Sequence, residues 1–374
     1  MRKIIQQFLP YITILLFMFF LIVPTIVYPF IKEYIDTENT ENRELAQKPA
    51  MNLKNIVSYP EQYEAYFNDH LAFRKQFIKL YTYSNLKLFQ SLDSERVVYG
   101  KDDWLFYNSS SDGDPITCYR GTNLMTENAL AEYKEKLTLV RDRLKKYNKE
   151  LVLFIAPNKE QVYSEYMPDR IEVVSDFSRS DQLVQYLTGN SDINVVYPFD
   201  ELLQEKTKYQ MYYKNDTHWN ELGGFIGAQQ LLEVISGNRE YLDEVDISQG
   251  EEVIGDLAKM ENLQEVLPKY KKTDIKNYYT EINVENVTKD RKDFRQYVSD
   301  SENNQAILIL GDSFREAMEP YISKHFAKSD FYHFHDVNSE DITAPAADII
   351  VIEVVERYVP SILPICDKLL EAYP

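Results

Sequence analysis

At 374 residues with 44% hydrophobic content, the chain can bury a sizeable core in one large or two modest domains. A formal net charge of −19 and a pI near 4.8 weigh against a nucleic-acid partner, which needs a basic patch, and against a polyanionic partner unless a cleft is locally basic. Glycine-rich phosphate loops and cysteine-rich zinc patterns are absent from the sequence, so neither a nucleotide cofactor nor structural zinc is expected.

The N-terminus opens with a run, residues 10–31, that is apolar apart from Thr13 and Thr25 and long enough to cross a hydrocarbon core of about 30 Å as a helix. Arg2 and Lys3 precede it while Lys32, Glu33 and Asp36 follow. By the positive-inside rule, residues 1–9 are a cytoplasmic tail and the bulk of the chain lies outside. A cleaved signal peptide is the alternative, but Tyr28-Pro29-Phe30-Ile31 is bulky where a peptidase needs small residues. An uncleaved signal-anchor is therefore expected, followed by a polar stalk over residues 32–57 and one folded domain over 58–374. Pro60 predicts a helix start after Ser58-Tyr59, with Tyr63, Tyr66 and Phe67 on one face. His70 on that helix reads as a core or capping group. Cys118 and Cys366 could bridge or remain buried thiols.

Leu130, Tyr133, Leu137, Val140 and Leu144 recur at helical spacing, predicting a long amphipathic helix that stops near Asn148. Residues 151–156 follow as a buried strand, with the turn Pro157-Asn158-Lys159 at its carboxyl end. Asn194 to Tyr197 is another strand, and Leu222 to Ile235 a helix ended by Gly237. Residues 238–304 read as an insertion packed beside the sheet, with a hairpin over 277–287; a lid or acceptor-binding edge is the alternative. Residues 305–310 and Ile349 to Ile352 are further buried strands. The alternation predicts a doubly wound α/β fold, a mostly parallel sheet flanked by helices.

Two short segments carry the chemistry. Ser313, in Gly311-Asp312-Ser313-Phe314, should stand at the carboxyl end of a strand where a helix begins. That is the ligand-binding edge of an open α/β sheet, and the helix start supplies N–H donors for an oxyanion. The plain alternative is that Asp312 or Ser313 only caps the helix. In Asp216-Thr217-His218 the carboxylate and imidazole are two apart, so in an extended segment both project to one side. Asp216 can then fix the tautomer that leaves Nε2 free to take a proton from Ser313. A satisfied surface Asp-His pair and half of a metal site are the alternatives. Trp219 offers a ring beside the base on which a sugar could stack. His333-Phe334-His335 places two imidazoles on one face, but without a third and fourth ligand nearby it reads as a strand end, and no metal is expected.

This arrangement resembles the SGNH hydrolase-like domain of the alginate O-acetyltransferases of the AlgX and AlgJ type, in which an Asp-x-His pair precedes a Gly-Asp-Ser-Phe segment. Further matches are Glu41-Asn42-Arg43, Phe67-Asn68-Asp69-His70 with Phe73-Arg74, Gly100 to Phe106, Pro157-Asn158-Lys159, Gly255-Asp256-Leu257 and Glu356-Arg357-Tyr358. The resemblance implies Ser313 as nucleophile, His218 as general base and acid, and Asp216 as its orienter. Tyr358, Arg315, Trp219 and Lys159 are the candidates for oxyanion or substrate-positioning groups. The order of the segments departs from ordinary SGNH hydrolases, which put the nucleophile first. With no carbohydrate-binding domain after Tyr358, the layout is more like AlgJ than AlgX.

The resemblance implies a membrane-anchored, extracytoplasmic O-acetyltransferase of an exported or cell-surface polysaccharide. It also implies a multi-pass membrane-bound O-acyltransferase as the partner supplying acetyl groups. The acidic composition makes a neutral or zwitterionic polymer easier to accept than alginate. A carbohydrate esterase with the same triad, and a non-catalytic polysaccharide-binding or assembly protein, are the rival readings.

Overall fold

The structure, a computed structural model, describes residues 2–35, 45–52, 55–89, 92, 94–264, 266–276, 278, 283–288, 294–343 and 345–374. Contacts group the chain into two compact units, residues 1–93 with 259–267, and residues 94–258 with 268–374. The expected domain start at residue 58 falls inside the first unit, and the sheet-bearing unit starts at Ser94.

In the first unit, α1 (Arg2–Ile31) contains the segment Tyr11–Ile31, long and apolar enough to cross a membrane. α2 (Tyr59–Asp69) starts with proline in its first turn as the sequence predicts, but none of its side chains is buried. His70 caps it: its backbone N–H donates to the Tyr66 and Phe67 carbonyls, and its ring lies 4.3 Å from that of Tyr66. α3 (Arg74–Phe89) follows. Within the expected stalk, residues 36–44 and 53–54 lie outside the described residues.

The second unit begins with an antiparallel pair, β1 (Val97–Tyr99) and β2 (Leu105–Tyr107). α4 (Glu127–Lys146) buries Leu130, Tyr133, Leu137, Val140 and Leu144, and carries Arg143, Lys145 and Lys146 in its last turn, where cations favour the dipole. The chain then turns through Asn148 at φ 56°, a left-handed conformation that asparagine tolerates. β3 (Glu150–Ala156), α5 (Arg179–Asn190) and β4 (Asn194–Val196) come next. α6 (Glu221–Ser236) is opened by the Asn220 side chain, which accepts the Leu222 and Gly223 N–H groups, and closed by Gly237 at φ 75°. β5 (Ile247–Val253) and β6 (Tyr270–Ile275) form a separate two-stranded sheet. β7 (Val284–Asn286), β8 (Phe294–Ser299), β9 (Ala306–Gly311), β10 (Lys328–His333), β11 (Ile349–Val355) and α7 (Ile362–Ala372) complete the unit.

The main sheet has the order β4-β3-β11-β9-β10-β8-β7. β4, β3, β11, β9 and β10 are parallel, as expected, and β8 and then β7 extend the sheet antiparallel, with β7 at the edge. The stretch 238–304 is thus only partly an insertion, because its last strands belong to the sheet. The strand inside the expected 277–287 hairpin pairs with β8 instead, and residues 277 and 279–282 lie outside the described residues. Alternate residues of the central strands point to opposite faces. Val152, Phe154, Ile307, Ile309 and Val351 pack with Phe225 and Leu222 of α6. Leu151, Leu153, Leu308, Leu310 and Ile350 pack with α4 and α7. From β9 the chain passes to β10 on one side and returns to β11 on the other. The carboxyl end of β9 is therefore a switch point, where such sheets open a crevice.

Candidate active site

The crevice residue is Ser313. Asp312 caps the tight turn Ser313–Ala317: its Oδ1 accepts the Phe314 N–H at 2.9 Å and its Oδ2 the Val355 N–H at 2.7 Å. Asp312 N–H in turn donates to Glu353 Oε2 at 2.8 Å. The capping alternative thus holds for Asp312, which leaves the Ser313 hydroxyl uncommitted to the turn. As first residue of that turn, Ser313 also has a backbone N–H with no intrahelical acceptor.

The second segment meets it from 95 positions earlier in the chain: His218 Nε2 accepts from Ser313 Oγ at 2.8 Å. His218 Nδ1–H donates to Asp216 Oδ1 at 2.9 Å, and the same oxygen accepts the His218 backbone N–H at 3.0 Å. The pair therefore rests on a local side-chain-to-backbone turn rather than the extended geometry expected from the i, i+2 spacing. Asp216 Oδ2 accepts from the Asp256 N–H at 3.1 Å and from the Tyr270 hydroxyl at 3.3 Å. Burial alone would raise the Asp216 pKa; the hydrogen bond and charge of His218, with two backbone N–H donors, hold it well below the usual carboxylate range.

Asp256 is a group that sequence reasoning missed, visible there only inside the Gly-Asp-Leu string. Its Oδ1 accepts the Thr217 N–H at 2.7 Å, and its Oδ2 stands 3.8 Å from His218 Nδ1. Burial pushes the His218 pKa down, but the Asp216 hydrogen bond and charge, joined by the Asp256 charge, outweigh it and leave the imidazole above its ordinary value. Burial and the Asp216 charge push Asp256 itself up. Gly255 makes this approach possible, since a Cβ there would overlap the Asn215 carbonyl. Ligand atoms of Asp216, His218 and Asp256 lie within 4.8 Å of one another and are the group among the described residues that could share a metal ion. An ion on Nδ1 would have to displace the proton now given to Asp216.

A hydroxyl, an imidazole and a carboxylate bonded in this order can make an alkoxide-like nucleophile, with charge stabilised as it develops on the imidazole. The sequence profile described as "SGNH hydrolase-like domain, acetyltransferase AlgX" matches residues 97–329. The chain belongs to the AlgX-type SGNH hydrolase-like family. Similar proteins include one described as "Probable alginate O-acetylase AlgJ" from Pseudomonas putida, 33% identical over 143 residues, which cover 37% of this chain and 34% of that protein. Another of that description, from Pseudomonas syringae pv. tomato, is 27% identical over 173 residues, covering 45% and 40%. The chain thus spans well under half the length of these curated relatives. Bacillus cereus PatB1 with a sulfonyl adduct overlays at TM-score 0.48 and 16% identity, over 69% of this chain and 95% of that one. The O-acetyltransferase domain of Pseudomonas putida AlgJ overlays at 0.45 and 19%, over 71% and 92%.

In this member of the AlgX-type family, the remaining candidates are placed otherwise than expected. Trp219 is 2% exposed, so it offers no face to a sugar; its indole N–H donates to the Phe314 carbonyl at 2.9 Å. Lys159 is buried, and its ammonium donates to the carbonyls of Tyr213, Lys214 and Asp216 at 3.2, 3.3 and 2.5 Å. It fixes the Asp-x-His loop rather than reaching a substrate, and burial brings its pKa down to about 8. Arg315 is also buried, paired with Glu319 at 2.5 Å, so its charge is spent inside the core. Tyr358 donates its hydroxyl to Asp112. The neighbouring Arg357, which the sequence showed only as part of a string, is the better placed cation. Its guanidinium is buried 5.5 Å from the Phe314 ring, and its Nε has no hydrogen-bond partner among the described residues. His333 and His335 stack at 5.4 Å at the end of β10, and both cysteines are free and buried.

Proposed function

We propose that this chain is an O-acetyltransferase that moves acetyl groups onto hydroxyls of an exported or cell-surface polysaccharide through an acyl-serine intermediate. The observation that carries the reading is the unbroken chain Asp216–His218–Ser313, with bonds of 2.9 and 2.8 Å. In the first half-reaction, His218 Nε2 takes the Ser313 proton as Oγ attacks the acetyl carbonyl. The Ser313 N–H is the donor aimed at the developing oxyanion. Collapse expels the donor alkoxide, which takes the proton back from His218, and leaves acetyl-Ser313. In the second, His218 deprotonates a sugar hydroxyl that attacks the ester, and Ser313 recovers its proton. No cofactor enters these steps.

The reading includes α1 as a single-pass anchor with residues 1–9 cytoplasmic and the sheet-bearing unit outside. Acetyl groups then come from a multi-pass membrane-bound O-acyltransferase. The polymer names carried by the relatives in Pseudomonas support a polysaccharide acceptor; the charge of −19 favours one that is not itself a polyanion. Hydrolysis is the second reading, because the His218 side chain is 32% exposed and water can compete for the same ester. Intact-mass spectrometry of the protein with p-nitrophenyl acetate, with and without oligosaccharides, separates these. A Ser313-dependent +acetyl adduct that moves to sugar supports the transferase. Release of acetate alone supports the esterase, and no adduct on wild type refutes the mechanism.

A further inference from the structure

α3 has two faces that call for different neighbours. Thr82 and Leu86 are buried. Leu86 lies nine residues from Phe77, half a rotation at 100° per residue, so Phe77 is on the opposite side. There Phe77, Leu80, Tyr81 and Leu88 fall in one stripe and are 39%, 62%, 57% and 73% exposed. Scattered exposed leucines need no explanation, but a contiguous stripe on a helix does. The same helix contains Arg74, Lys75, Lys79 and Lys87 and no acidic residue, within a chain of net charge −19.

Its position within the first unit supplies the missing element. Phe73, the residue before α3, sets its ring 5.3 Å from that of Tyr28. Tyr28 lies in the last turn of the apolar segment Tyr11–Ile31, the level at which a spanning helix leaves the hydrocarbon. Phe73 holds φ at 59°, uncommon for a bulky residue, where α3 meets this turn. Nearby, Phe67 at 53% and Leu71 at 41% are exposed as well. Basic residues with Phe, Tyr and Leu are the composition of helices that lie in the plane of an interface.

We propose that α3 lies in the headgroup layer of the bilayer that α1 crosses, its Phe77–Leu88 stripe against the acyl boundary and its basic sequence drawn to anionic phospholipid headgroups. The proposal rests on α1 as an anchor and not on the acetyl-transfer chemistry. The test uses the full chain in phosphatidylcholine vesicles with or without phosphatidylglycerol, carrying an environment-sensitive fluorophore at Leu88→Cys. Leu139→Cys, on the exposed surface of α4 in the other unit, is the control. The native thiols are buried, so the introduced one takes the label.

The expected result is several-fold stronger quenching by a lipid-borne quencher at position 88 than at 139, deeper with phosphatidylglycerol, and loss of that extra depth in Arg74→Glu, which flanks the stripe. Quenching no stronger at 88 than at 139 overturns the proposal, as does a blue shift at 88 without lipid quenching, which would mean that protein covers the stripe. Equal quenching on both lipids refutes the anionic-headgroup assignment. Alkaline extraction reports on α1 separately. A chain that resists extraction while its label stays in water keeps the anchor and loses the proposal; one that washes off after being quenched loses the anchor and, with it, the proposal.

Discussion

Asp256→Asn isolates the second carboxylate at the base. The amide oxygen can still accept the Thr217 N–H, so the backbone contact of 2.7 Å is retained while the charge 3.8 Å from Nδ1 is removed. Coulomb's law at this separation gives about 4 kcal/mol at an effective dielectric of 20 and about 1 kcal/mol in water. The His218 and Asp256 side chains are 32% and 34% exposed, so solvent screening brings the effect towards the lower bound. At 1.36 kcal/mol per unit, the imidazole pKa should fall by about one unit. The sign follows from the proposed mechanism: there His218 must be neutral to take the Ser313 proton, so activity should fail as pH drops through the imidazole pKa. Lowering that pKa moves the acid limb of kcat/KM to lower pH. Single-turnover acetylation of Ser313 by p-nitrophenyl acetate across pH measures it. An acid limb that stays in place in a variant that still acylates would refute the assignment of Asp256 as a positioning charge, because a purely structural role changes amplitude and not the limb.

Three further outcomes follow from the same geometry. Trp219→Phe keeps the ring packing on Phe314 but leaves its carbonyl, bonded at 2.9 Å in the native protein, without a partner. The cost should be about 1–3 kcal/mol, read as a lower denaturation midpoint and slower acylation. Gly255→Ala must push the 254–256 loop off Asn215, breaking the Asp256 N–H bond to Asp216 at 3.1 Å. A displacement of this kind costs about 10²-fold in kcat/KM, and a variant of native activity would contradict it. Lys159→Met strands the carbonyls of Tyr213 and Asp216, while that of Lys214 keeps the Leu105 N–H at 2.8 Å, and should destabilise by at least about 2 kcal/mol in urea titration. Because the folded pKa of Lys159 is about 8 and the unfolded value about 10.4, the unfolded chain binds more protons between them. Its contribution to stability therefore rises with pH across that window and disappears in the variant.

The central strands were legible because each is a short apolar run closed by a turn residue, and β3, β9 and β11 are buried on both faces accordingly. The antiparallel strand β8, paired with β10 and β7, was not. Its residues are all half-buried, so neither continuous apolarity nor strict alternation marks it, and its role is visible only from its pairing. At the site, the meeting of Ser313 and His218 could be read from residue type and position. The supporting groups could not, since nothing in Trp219, Lys159 or Arg315 as letters says whether a long side chain faces a cleft or the core. Here all three are buried and bonded to backbone or to Glu319, with Arg315 Nη2 left without a partner among the described residues. Asp256 enters by a contact across 40 residues that depends on the missing side chain of Gly255.

The Trp219 N–H bond to the Phe314 carbonyl joins the neighbour of the base to the neighbour of the nucleophile. In the resting protein it runs parallel to the His218–Ser313 bond. In the proposed mechanism, once Ser313 carries an ester its oxygen has no proton to give, and that second link is lost at the moment when the base is needed again. The indole clasp does not depend on the state of the serine. In that mechanism it would keep the imidazole in register with the ester while the acceptor hydroxyl arrives, so that both half-reactions meet the same geometry.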